Sequence, residues 1–309
     1  MGLTLIIFNQ LAIMLALAAA GWLLTKTGKV KDDQALAGLL TNAVLPALIL
    51  HFLQVPYSPA VLRDIAITVA AFGVVFFVGM AVGLLLGKAA RQTGQATGGW
   101  AVCIAAPNVI FMGWPIMRDI YGESAFPLAV GMILAFNVII FLTSPFLFTM
   151  GEAGKGRVRV KELLLQPVIL AAFVGILLFL TPFRLYGPAE GFVASLASLA
   201  TPISMLMIGC QLARCSLRET FLDGRAYLVA IVRLTAAPIA GLLLIRPFIS
   251  DPVIFGVVTI GSFMSVATIV AALAAQKNGD ALFCARVIVI STVLSILTAP
   301  LLIPLLISL

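Results

Sequence analysis

Apolar positions along this chain come in long, nearly unbroken blocks rather than in the short periodic stretches of a soluble domain. They run roughly 3–25, 34–54, 62–87, 98–117, 124–149, 162–181, 190–212, 226–249, 252–275 and 281–307. Each approaches the roughly 20 apolar residues that a helix needs to cross a bilayer core. Clusters of Pro, Gly and charge separate them: Lys26-Thr27-Gly28-Lys29, Gln54-Val55-Pro56-Tyr57, Gly151 to Lys161 and Pro182 to Pro188. The first run, Leu3 to Leu24, has no basic start and is longer than the apolar region of a signal peptide, so it reads as a membrane helix. The pattern predicts an all-α membrane protein with ten transmembrane helices.

Charge orients these spans. Of the 19 basic residues, 14 fall in the loops after spans 1, 3, 5, 7 and 9, and four (Arg63, Arg118, Arg184 and Arg246) in the loops between. Basic loops stay in the cytoplasm, which predicts an inner (cytoplasmic) membrane protein with both termini outside. Five spans entering from outside and five from inside make a 5+5 inverted repeat. Residues 1–150 form the first half, 151–161 a basic cytoplasmic linker, and 162–309 the second half. Tyr121-Gly122-Glu123-Ser124-Ala125 after span 4 matches Asn278-Gly279-Asp280-Ala281-Leu282 after span 9, a register that lays Asn108 over Ser265.

Composition narrows the class further. The chain is 62% apolar and 10% charged, against about 45–50% and 25% in soluble domains, and its mean hydropathy is +1.18. That excludes a soluble enzyme, a disordered chain and a secreted disulfide scaffold, and the unbroken runs exclude a porin-type barrel. The net charge of +7 lies in loops and calls for no nucleic acid. Cys103, Cys210, Cys215 and Cys284 lack metal-type spacing, and no metal or cofactor is implied. H-E-x-x-H, G-x-S-x-G and P-loop motifs are absent, so the chain reads as neither an enzyme nor an ATPase.

Span 4 departs most from a plain helix. It reads Ala105-Ala106-Pro107-Asn108-Val109-Ile110-Phe111-Met112-Gly113-Trp114-Pro115. Each interior proline removes a helical hydrogen bond and crowds the preceding turn, and freed backbone at membrane depth must line a cavity or be buried in protein. Pro107, Gly113 and Pro115 therefore predict a broken, site-forming helix, with Asn108 able to donate and accept. Span 9 is its expected partner, with Gly261, Ser262, Ser265 and Thr268 as candidates for a distorted stretch; Ser and Thr also bond back to their own helix. If both spans break, half-helix N-termini meet at the midplane, where their free N–H groups and dipoles suit a carboxylate.

Other polar residues inside spans carry two readings each. Arg233 is the one basic residue well inside a span rather than near its end; it either snorkels to the interface or supplies a field that attracts anions. Asn137 in span 5 reads as an interhelical hydrogen-bonding group or a site residue. His51 reads as an interface residue. Gly79, Gly83 and Gly87 form a close-packing face. All twelve acids lie in loops or at helix ends, which argues against a buried carboxylate as proton carrier or Na⁺ ligand.

Pro107-Asn108, Met112-Gly113-Trp114-Pro115 and Tyr121-Gly122 resemble the span 4 pattern of the auxin efflux carrier family, and Ser291 to Pro300 resembles its closing span. That family includes plant PIN-type carriers and bacterial carriers of malonate, malate and related acids. The resemblance implies a fold shared with bile acid/sodium symporters and sodium/proton antiporters. Spans 1, 2, 6 and 7 would form a scaffold, often dimeric, and spans 3–5 and 8–10 an elevator-like transport domain. It further implies a substrate site at the crossover of spans 4 and 9, with Asn108 on the carboxylate and Asn137 helping. This chain departs from many members in having Ser265-Val266-Ala267 where they carry a proline.

The expected function is a secondary carrier of small organic anions. The candidate substrate-binding residues are Pro107, Asn108, Val109, Asn137, Arg233 and Ser265, with apolar walls from Val109, Phe111 and Met112. Potential-driven export is one mode; a Na⁺- or H⁺-coupled symporter and a ligand-binding sensor without turnover are the alternatives.

Overall fold

A computed structural model describes residues 2–30, 34–151, 161, 164–214, 216–277 and 279–308. The linker expected over 151–161 lies outside these residues except for Gly151 and Lys161, as does Cys215. Among the described residues every element is helical, and the one β-type pairing is an isolated antiparallel bridge between Pro107 and Val266.

The first expected span is helix α1 (Leu3–Lys26). The second is α2 (Gln34–Leu39), a π-turn at Leu40–Val44 and α3 (Leu45–Phe52); the third is α4 (Pro59–Ala89). Span 4 is split into α5 (Gly94–Ala105), a π-turn at Val109–Gly113 and α6 (Trp114–Tyr121), and α7 (Ala125–Phe148) follows. The second half holds α8 (Pro167–Leu180), α9 (Pro188–Ser198), α10 (Ala200–Arg214), a short α11 (Leu217–Leu222), α12 (Gly224–Leu234) and α13 (Ala236–Ile245). It ends with α14 (Pro252–Ser262), α15 (Ile269–Gln276) and α16 (Ala281–Ile307).

Seven helical stretches among the described residues are long and apolar enough to cross a membrane, and Pro167–Leu180 and Pro252–Ser262 are shorter apolar helices. The difference from the ten blocks of the sequence has local causes. Val109–Phe148 runs through two blocks and reverses at Gly122, whose φ of 61° suits a residue without a Cβ. Interruptions at residues 106–108 and 263–268 shorten the helices on either side.

Both π-turns lead directly into a proline-bearing first turn, at Pro46 and at Pro115. Proline offers no N–H and crowds the carbonyl four residues back, and one widened turn relieves the clash.

Lipid supplies no hydrophobic drive for helix association, so close backbone packing takes over. A Cβ at Gly83 would press on the Ala101 backbone, one at Gly79 on Ala105 and one at Gly87 on Thr97, so α4 lies flush on α5. Gly21 and Gly209 do the same where α1 crosses α10. Helix α3 packs on α8 and α9; α4 packs on α5, α7 and α13; α16 packs on α1, α12 and α15. Large apolar side chains such as Leu85, Phe173 and Leu301 remain exposed on the outside, the distribution of a multi-pass membrane protein.

Candidate functional site

The two interruptions meet. Helix α5 stops at Ala105 because Pro107 donates no N–H and holds Ala106 extended (φ −94°, ψ 94°). Asn108 then donates its backbone N–H to Ser265 O at 2.8 Å, and Ala267 donates to Ala106 O at 2.9 Å. These bonds make the Pro107–Val266 bridge.

The break between α14 and α15 contains no proline. It is made by distant partners: Val266 N–H donates to Ser291 Oγ at 3.1 Å, and Ser291 in turn donates to Ile288 O of its own helix. Ser265 Oγ donates to Met112 Sδ at 2.9 Å.

Arg233 lies behind this crossing, 2% exposed. One guanidinium nitrogen donates to Ile104 O at 3.3 Å and another to Ser262 O at 2.6 Å, while Nε has no partner. Arg233 is buried against the two helix ends and is not among the residues that line the cavity.

In front of the crossing is a cavity of about 490 Å³, within the range of small-molecule sites. Its inner end is formed by Pro107, Asn108, Val109, Ile110 and Phe111 from the first break and by Ala267, Thr268 and Ile269 from the second. Phe136, Asn137 and Phe141 of α7, Leu45 at the start of α3, and Val168 of α8 wall it. It extends along α15 to Gln276 and Lys277, past Gln166 and Gln211, and among the described residues no acidic side chain lines it.

Asn108 caps the second half of span 4. Its Oδ1 accepts from Phe111 N–H at 3.3 Å, and its backbone carbonyl accepts from Met112 and Gly113. Its Nδ2 is buried without a protein partner, a donor whose desolvation is uncompensated. Asn137 Nδ2 donates to Ile133 O at 2.8 Å in its own helix, which leaves Oδ1 as an acceptor at the cavity wall.

Of the residues proposed from sequence, Pro107, Asn108, Val109 and Asn137 converge on the cavity, while Ser265 and Arg233 stand behind it. Gly261 does not break its helix. It lies in the last turn of α14, where a side chain would strike Met132 and Met117. Gly113 ends the π-turn, with the Gly261 backbone close by, and Pro115 sits in the first turn of α6. Sequence reasoning gave no role to Lys277 or to the Ser291 hydroxyl, and it named Thr268 only as part of a distorted stretch. Ser291, followed by Thr292 and Ser295 in span 10, was the visible signal.

Outside the cavity lining, aromatic rings pack together. Trp114 and Phe52 have centroids 3.9 Å apart, Trp114 and Phe126 4.9 Å, and Phe52 and Phe126 5.2 Å, with His51 beside Phe126. They join α3 to α6 and α7.

The sequence profile described as "Membrane transport protein" matches residues 6–162. An uncharacterized transporter of Methanothermobacter thermautotrophicus is 26% identical over 303 residues, covering 93% of this chain and 94% of that protein.

Proposed function

The chain belongs to the membrane transport protein family, that of the auxin efflux carriers, and we propose that it is a secondary carrier of small organic anions working by alternating access. The observation that carries this reading is Asn108, whose buried Nδ2 has no protein partner, in the lining of a cavity formed by two interrupted helices and free of acidic side chains among the described residues. A carboxylate accepts from such an amide and gains from the helix N-termini beside it.

The same cavity supports the mechanism proposed. Its walls come from spans 2, 6 and 7 on one side and spans 4, 5 and 9 on the other. Sliding one group against the other carries the crossing from one face to the other, with spans 1, 2, 6 and 7 as the fixed scaffold and as the surface for a homodimer. This reading keeps ten spans in a 5+5 inverted repeat, with both termini outside the inner membrane.

By the loop charges the cavity extends towards the cytoplasm, and the Phe52–Trp114–Phe126 cluster closes the outer path. In a negative-inside cell a monoanion gains about 2.3 kcal/mol per 100 mV on leaving, so export needs no second ion. Counterflow of labelled malonate, malate and indole-3-acetate in proteoliposomes tests the reading. Saturable exchange of at least one, lost in Asn108→Ala, is expected; binding without counterflow would make the protein a sensor instead.

A further inference from the structure

The hydrogen-bond pattern around Arg233 has a specific logic. In an uninterrupted helix Ile104 O would accept from the N–H of residue 108, and Ser262 O from that of residue 266. Both donors have been diverted: Asn108 N–H to Ser265 O, and Val266 N–H to Ser291 Oγ. Arg233 takes two of the carbonyls orphaned by the breaks, one from each helix end. They belong to the C-terminal ends of α5 and α14, which carry about half a negative charge each. Together they match one positive charge, and among the described residues no carboxylate pairs with Arg233. A buried guanidinium without a counter-ion is costly, so these helix ends are what hold it.

Unwound carbonyls and half-helix C-termini at membrane depth are the groups that bind coupling cations in secondary transporters. Here that place is filled by the protein itself. We propose that Arg233 is a built-in substitute for a coupling cation: it neutralises the two inward helix ends permanently, leaves the N-termini facing the cavity to act on the anion, and makes the carrier independent of Na⁺. This inference rests on the carrier reading above and names how that same site is powered. Arg233 is a positioning residue, since it touches backbone and not the cavity.

The test compares thermal unfolding in detergent with NaCl or choline chloride at equal ionic strength. The wild-type protein should unfold at the same temperature in both. Arg233→Ser, which clears the space between the carbonyls, should unfold earlier and recover roughly 2–4 °C in sodium over choline. Arg233→Lys keeps the charge and should stay indifferent to sodium. If Arg233→Ser does not fold, wild-type proteoliposomes decide: labelled sodium should not move with malonate or indole-3-acetate. Sodium-coupled flux in the wild type, stabilisation of the wild type by sodium, or an Arg233→Ser variant equally stable in both salts would overturn the proposal. The unfolding arm does not depend on turnover, so a protein that carries none of the acids would sink the carrier reading while leaving this result legible.

Discussion

Asn108 donates its backbone N–H to Ser265 O at 2.8 Å, tying the broken middle of one membrane helix to that of another about half a chain away. This bond takes the amide that would have continued α5 and leaves the Asn108 side chain free to cap the next segment and to face the cavity. The substrate-binding role of Asn108 follows from that division of labour. Asn108→Ala should weaken carboxylate binding roughly 10- to 100-fold, the worth of one hydrogen bond to a charged group. Asn108→Asp should do more, because it sets a negative charge at the site. Equilibrium binding of labelled malonate or indole-3-acetate to purified protein checks both, and unchanged affinity would remove Asn108 from the site.

The second break depends on a hydroxyl from another helix. Ser291→Ala leaves Val266 N–H buried without an acceptor, at a cost of about 1–3 kcal/mol. Ser295→Ala is the matched control: that residue is equally buried, but its hydroxyl bonds only to Thr292 O in its own helix. Thermal unfolding should drop clearly for the first and little for the second. Equal drops would mean that Ser291 matters only as filling.

The two breaks are not equally legible in the sequence. Pro107 interrupts span 4 by its own chemistry, so the break and the cap at Asn108 can be read from neighbouring residues. The gap after Ser262 is imposed by Ser291 and by Ala106, residues remote in sequence, and no local pattern announces it. Gly261 misleads for the same reason: its absent side chain serves packing against Met132 and Met117 rather than unwinding. Arg233 stands out as a basic residue well inside a span, but its partners are two backbone carbonyls that exist as acceptors only because both helices break. The pairing of Phe52 with Trp114 is invisible, since in a chain with 20 phenylalanines an aromatic residue in a span carries little information.

The glycine faces are readable from spacing alone, and they predict a graded response. Gly83→Val would drive a side chain into the Ala101 backbone and should cost about 1–3 kcal/mol. Gly38, inside α2, has open space where a Cβ would stand, so it should tolerate alanine or gain about 0.5–1 kcal/mol. Unfolding temperatures of the two variants in the same detergent compare the faces directly.

The aromatic closure predicts a trap. Phe52 belongs to α3 and Phe126 to α7, with ring centroids 5.2 Å apart. Cysteines at these positions, joined by a short bifunctional thiol reagent, should stop flux while leaving binding from the cavity side intact, and a cleavable reagent should restore transport on cleavage. Cys103, Cys210 and Cys284 are buried, and Cys215→Ser in the same background removes the fourth thiol. Continued transport after complete cross-linking would show that α3 and α7 do not separate during the cycle.

The most direct measurement is uptake of labelled malonate, malate and indole-3-acetate into proteoliposomes with potential imposed by potassium diffusion, without sodium and without a pH gradient. An inside-positive potential should drive accumulation of at least one of these anions, and reversing the potential should drive its release. Flux that appears only with sodium or a pH gradient, or that ignores the sign of the potential, would contradict an uncoupled anion carrier.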